Sequence, residues 1–165
     1  DWVSEAPASA GFTLSTEQAG AAADLTFTGI PAGTTMVVVN MSDMSSSSTG
    51  LWTMEIGDSG GLETSNYNTR GKKFNNGNYG DTDGTAVAFA IANSGHVAQW
   101  LECQVILTLE NSSTNNWMMS SNAVGRNNDD AGMSNGSKAL SGTLTQLKIN
   151  PVGSFDDGVA NIMYI

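Results

Sequence analysis

The sequence predicts an all-β fold: an antiparallel β-sandwich, jelly-roll-like, of about eight to ten strands with little or no helix. Three observations carry this expectation. Apolar residues recur with a period of two along most of the chain, as in strands with one buried face. Turn signals rich in Gly, Asn and Asp separate these runs. Gly, Ser, Thr and Asn make up 70 of the 165 residues and charged residues only 13 %, so the good helix formers Glu, Lys and Arg are scarce.

Taken in order, the first run is the only one patterned for a helix. In Ser15 to Ala23, Ser15 and Gln18 have the spacing of a capping box, although Gly20 weakens it. Leu25-Thr26-Phe27-Thr28 alternates as a strand. Met36-Val37-Val38-Val39 is rich in β-branched residues and is expected to be buried on both sides. Leu51 to Ile56 places Trp52, Met54 and Ile56 inward. Ala86 to Ile91 has large residues on one face and alanines on the other, which points to close approach by a second sheet or another subunit. Leu101 to Glu110 is the clearest strand: Leu101, Cys103, Val105, Leu107 and Leu109 share one face. Trp117-Met118-Met119 reads as a core or subunit-interface strand. Thr143 to Ile149 and Val159 to Ile165 complete the set.

Between them lie Pro31-Ala32-Gly33, Asp58-Ser59-Gly60-Gly61, Asn76-Gly77, Asp83-Gly84, Asn135-Gly136 and Asp156-Asp157-Gly158. Gly and Asn accept the positive φ that tight hairpins need. Two long polar stretches, Asn66 to Gly84 and Asn122 to Ser137, are expected to be loops.

Charge and cysteine count exclude several classes. Six Lys and Arg against sixteen Asp and Glu leave a net charge of −10, which argues against a nucleic-acid partner. One cysteine, Cys103, permits no internal disulfide. The longest apolar run, Ala86 to Ala92, is far short of the roughly 20 residues of a membrane-spanning helix, so no membrane insertion is expected. No signal peptide is visible. The chain starts Asp1-Trp2-Val3 without an initiator Met, which predicts a domain trimmed from a longer protein.

Several motifs resemble reactive sites. Gly57-Asp58-Ser59-Gly60-Gly61 matches the string around a trypsin-like nucleophile. In that family the His and Asp both precede the serine. Here the one histidine, His96, follows it, so a Gly-rich turn is expected. His96 lacks the Cys or His partners of a zinc site and is read as a loop histidine. Cys103 falls on the apolar face of its strand and reads as a small core residue. Asp81-Thr82-Asp83-Gly84 fails the EF-hand pattern, since Tyr79 and Ala90 stand where ligands belong. Asp81 and Asp83 remain candidates for another kind of calcium loop. Asn127-Asn128-Asp129-Asp130 and Asp156-Asp157 are oxygen-rich in the same way but read as solvated turns. Nothing brings two carboxylates together as glycoside hydrolysis requires. The chain is therefore read as a non-enzyme, with no metal and no cofactor.

The 66–84 stretch holds the candidate ligand-binding residues. Tyr67, Phe74 and Tyr79 are offered as stacking groups for sugar C–H faces. Arg70, Lys72 and Lys73 are offered as contacts to an anionic glycan. Amides between them would hydrogen-bond hydroxyls. The bland reading is a long surface loop, or one packed against a neighbouring subunit.

Two stretches carry a family resemblance. One runs from Leu25-Thr26-Phe27-Thr28-Gly29-Ile30-Pro31-Ala32-Gly33 through Ile56-Gly57-Asp58-Ser59-Gly60-Gly61-Leu62-Glu63-Thr64-Ser65-Asn66-Tyr67. The other is Ser141-Gly142-Thr143-Leu144-Thr145-Gln146-Leu147 with Phe155-Asp156-Asp157-Gly158-Val159-Ala160-Asn161-Ile162-Met163-Tyr164. Together they resemble the β-rich C-terminal domain of bacteriophage tail-fibre and other virion structural proteins. The likeness covers residues 24–165, expected as one β-sandwich domain. Residues 1–23 are left as a linker to an upstream shaft or a strand exchanged between subunits. The resemblance implies a homotrimeric domain on the virion surface, at a tail or head fibre tip. It would meet other virion proteins and a host cell-surface glycan or protein receptor, contributing to host attachment. The alternatives are a structural capsid-decoration or fibre-assembly domain acting through protein–protein contacts, and a glycan hydrolase or esterase.

Overall fold

The computed structural model of the protein describes residues 11–75, 78–83, 86–97, 99–126 and 130–165. Fourteen strands form two antiparallel sheets with no helix among the described residues. The large sheet contains Thr13–Leu14 (β1), Gln18–Ala19 (β2), Met36–Ser46 (β4), Asn68–Asn75 (β7), Asn78–Asp83 (β8), Leu101–Asn111 (β10), Asn116–Gly125 (β11), Asp130–Ala139 (β12) and Phe155–Tyr164 (β14). Its order is β1-β14-β4-β10-β11-β12-β7-β8, with β2 also on β14. The small sheet contains Leu25–Thr28 (β3), Gly50–Asp58 (β5), Gly61–Leu62 (β6), Phe89–Ser94 (β9) and Gln146–Asn150 (β13). It runs β3-β13-β5, with β6 and β9 both on β5. The strands outnumber the expected eight to ten.

The core lies between the sheets and follows from the period-two pattern. In β10 Leu101, Cys103, Val105 and Leu107 are buried, and in β5 Trp52, Met54 and Ile56 are buried. The Trp52 and Phe155 rings meet edge to face at 5.0 Å. Val37, Val38 and Val39 are all buried, as expected, because β4 sits between β14 and β10. Val38 is shielded on the far face by its register partners Ile106 and Met163.

Three expectations are corrected. The helix over Ser15 to Ala23 does not form; the segment runs along β14 of the same chain instead. Ser15, the expected helix cap, exchanges hydrogen bonds with Ile162, backbone N to O at 2.8 Å and Oγ with N at 3.0 Å. Gly20 lies so close to β14 that a Cβ would sit 2.3 Å from the Asp157 carbonyl oxygen. Thr13–Leu14 and Gln18–Ala19 thus add to the edge of the large sheet.

The other two corrections concern the polar stretches. Asn66 to Gly84 is mostly the β7–β8 hairpin, and Asn122 to Ser137 supplies the end of β11 and most of β12. Both look like loops because several of their inward positions, Thr69, Gly71, Gly132 and Ser134 among them, are small or hydroxylated rather than apolar. The reason is β9, which pairs with β5 and turns its other edge onto the large sheet. Thr69 Oγ1 accepts the Ala90 N–H at 3.2 Å, Ser134 Oγ donates to the Ala90 carbonyl at 2.6 Å, and Ser121 Oγ donates to the Ile91 carbonyl. Hydroxyls thus satisfy backbone groups that a neighbouring strand would otherwise pair. Gly136 of β12 makes room for β9: a Cβ there would lie 2.9 Å from the Phe89 ring.

Candidate functional site

The six sequence-predicted residues separate in the structure. Tyr67 is a core residue, only 6 % exposed. Its hydroxyl donates to the Ile56 and Glu63 carbonyls at 3.2 and 2.9 Å and accepts the Ile56 N–H at 2.8 Å. Its ring meets Phe89 edge to face at 4.8 Å, and the Lys138 ammonium lies 5.5 Å from its centre. Burial pushes its phenol above the ordinary value. A ring held on all sides cannot stack on a sugar, so Tyr67 leaves the candidate site.

Antiparallel register assigns the others to faces, because directly paired residues point the same way. Arg70, Lys72 and Phe74 alternate along β7 and share the outward face of the large sheet. Lys73 points inward and is ion-paired with buried Asp130 at 3.2 Å, so it too leaves the site. Tyr79 pairs in register with Phe74, but its side chain lies outside the described residues. So does that of Asp83, while Asp81 is ion-paired with Lys72. Among the described residues no three metal-ligating side chains converge.

The motifs meet equally plain fates. In Gly57-Asp58-Ser59-Gly60-Gly61, β5 ends at Asp58 and β6 begins at Gly61, so the segment is the expected turn. A Cβ on Gly57 would lie 2.2 Å from the Gly61 carbonyl oxygen. The Asp58 carboxylate accepts the Gly60 N–H at 2.7 Å and the Ser141 hydroxyl at 2.8 Å. These two bonds, the Ser141 one foremost, hold it below the ordinary carboxylate value. Burial raises Glu63, but hydrogen bonds from Lys138 and Ser141 outweigh it and leave its pKa lowered. His96 is exposed in the β9–β10 connection. Cys103 is buried, and burial pushes its thiol up to about 12.

Sequence reasoning did not single out the feature that unites the outward face. One register row crosses seven strands. Asn161 pairs with Asn40, Asn40 with Gln104, and Gln104 with Asn122. The row continues through Met133 to Lys72 and Asp81. Gln104 Nε2 donates to Asn40 Oδ1 at 3.0 Å, and Asn40 Nδ2 donates to Asn161 Oδ1 at 3.3 Å. Six inter-strand spacings make the row about 29 Å long.

The four amides line a shallow groove of about 460 Å³, bordered by Glu17, Glu102 and Val124. A second groove of about 440 Å³ follows on the same face, lined by Arg70, Lys72, Asp81, Met133 and Asn135. Beside the amides runs a second row, Val124, Ala131 and Phe74. Val124 and Met133 are half exposed, at 50 % and 49 %. The signal in the sequence was weak: Asn40 and Asn161 lie on strands far along the chain from the β10–β11 hairpin that carries Gln104 and Asn122. No family model matches the chain, and no curated protein matches it.

Proposed function

We propose that this chain is a carbohydrate-recognition domain on a bacteriophage virion surface, at a tail or head fibre tip, contributing to host attachment without chemistry of its own. The observation that carries the binding half of this reading is the amide row on the open sheet face. Carboxamides donate and accept at once, which is what hydroxyl-rich ligands require. The two hydrogen bonds within the row use only part of that capacity. The adjoining apolar row offers the C–H contacts that complete sugar recognition. The virion half of the reading rests on the resemblance of the strand and turn strings described above.

An array of bacterial surface glycans tests the proposal. The intact chain should retain a defined subset, and the triple variant Asn40→Ala, Gln104→Ala, Asn122→Ala should lose it while keeping its thermal transition. An array that retains nothing contradicts the reading.

A second reading, a structural domain acting through contact with its own copies, is favoured by one end of the same face. There Leu14 and Met118 are exposed, at 61 % and 44 %, next to half-buried Met36, Ile106 and Met163. Light scattering decides it: a trimer that Leu14→Asp with Met118→Asp converts to monomers supports this reading.

A further inference from the structure

The ion pairs of the outward face say what kind of sugar it suits. We infer that the amide groove takes an uncharged, N-acetylated oligosaccharide of several units, lying across the strands. This rests on the carbohydrate-binding reading and narrows it.

Charge comes first. The chain has four lysines and two arginines. Lys72, Lys73, Lys138 and Lys148 are each ion-paired, with Asp81, Asp130, Glu63 and Asp24 in turn. Arg126 is paired with Asp43 and lies 3.6 Å from Glu102. Arg70 donates to the Thr69 carbonyl at 2.8 Å. On the outward face, then, Lys72 and Arg126 are paired with carboxylates, Arg70 lies in the second groove, and no Lys or Arg is among the described residues lining the amide groove. Glu17 and Glu102 border the groove itself. An anionic glycan in the amide groove would meet these two carboxylates with no Lys or Arg among the described lining residues, and like charges at an interface weaken binding strongly.

Shape and chemistry give the rest. An acetamido group presents one N–H, one carbonyl and one methyl. Asn122 can meet the first two with its own carboxamide. Met133, directly opposite it, and Val124, two residues along the same strand, supply half-exposed apolar surface for the methyl. The amides repeat at every strand spacing across β14, β4, β10 and β11, so contacts recur along a chain rather than around one sugar. The Met133 and Lys72 positions extend the same row into the second groove.

Calorimetry on the intact chain with three oligosaccharide ladders tests this. The ladders are β-1,4-linked N-acetylglucosamine oligomers, their de-N-acetylated glucosamine counterparts, and hyaluronan oligomers, each from short to hexasaccharide. The N-acetylglucosamine hexamer should bind about tenfold or more tighter than the dimer. Hyaluronan and glucosamine oligomers of equal length should each bind about tenfold weaker or worse than it. Asn122→Ala should weaken the hexamer about two- to tenfold, the value of one hydrogen bond, without shifting the thermal transition.

Equal affinity for dimer and hexamer overturns the extended site. Preference for hyaluronan overturns the uncharged ligand, and preference for glucosamine oligomers overturns the acetyl contact. If all three ladders fail while the bacterial array retains other glycans, this inference falls and the carbohydrate-binding reading stands. If the array is empty as well, both fall.

Discussion

Tyr67 shows how far local sequence misleads at the scale of one residue. It stands beside cations and amides in a polar stretch, which is how sugar-stacking rings look in a sequence. Its hydroxyl instead ties β5 to the Glu63 segment through three hydrogen bonds. Nothing in the local string distinguishes a ring that points into the core from one that points out; only the parity of β7 and the position of Phe89 do. Tyr67→Phe leaves the buried Ile56 N–H without that acceptor and should cost about 1–3 kcal/mol by urea unfolding. Glycan retention should be unchanged. Lys73 makes the same point. Its neighbours Lys72 and Phe74 face outward, and one step in register sends it to Asp130.

At the scale of elements, the apolar strands were legible and the polar ones were not. β3, β5 and β10 alternate as the sequence predicts, because a half-buried strand writes its burial into its hydrophobicity. β7, β8 and β12 carry no such signal. Inward Thr69 of β7 and Ser134 of β12, with Ser121 of β11, serve the backbone of β9, a task for hydroxyls rather than for leucine. Thr69→Val keeps the shape and removes the acceptor of the Ala90 N–H, so it should cost about 1–3 kcal/mol and speed amide exchange at Ala90. A neutral substitution would show that the Thr69 hydroxyl contributes nothing to holding β9.

The β5–β6 turn carries a pH prediction. Asp58 and Glu63 both titrate below their ordinary values of 3.8 and 4.5 when folded. The unfolded chain binds more protons in the window between, so stability rises with pH there. The contribution is complete above the ordinary values and is lost as the pH falls through the lowered ones. The urea midpoint should therefore drop as the pH falls below about 5. Glu63→Gln should narrow that drop, and an unchanged drop in the variant would assign it to other carboxylates.

At the scale of the whole molecule, the scarcity of charge acquires a reason. With six cations matched largely to carboxylates, the outward face offers amides, hydroxyls and apolar side chains instead. Retention of glycan should thus change little between low and physiological salt, whereas binding through Arg70 and Lys72 to an anionic polymer would weaken with added salt. The class of fold was readable from periodicity and turns. The binding face was not, because it exists only once β14, β4, β10 and β11 are laid side by side.

The most direct test of that face is a heteronuclear NMR titration with the N-acetylglucosamine hexamer, following side-chain amide resonances. The account predicts saturable shifts at Asn40, Gln104, Asn122 and Asn161, with amides elsewhere, such as Gln99 and Gln146, unmoved. No shifts in that row, or shifts confined to other surfaces, would contradict it.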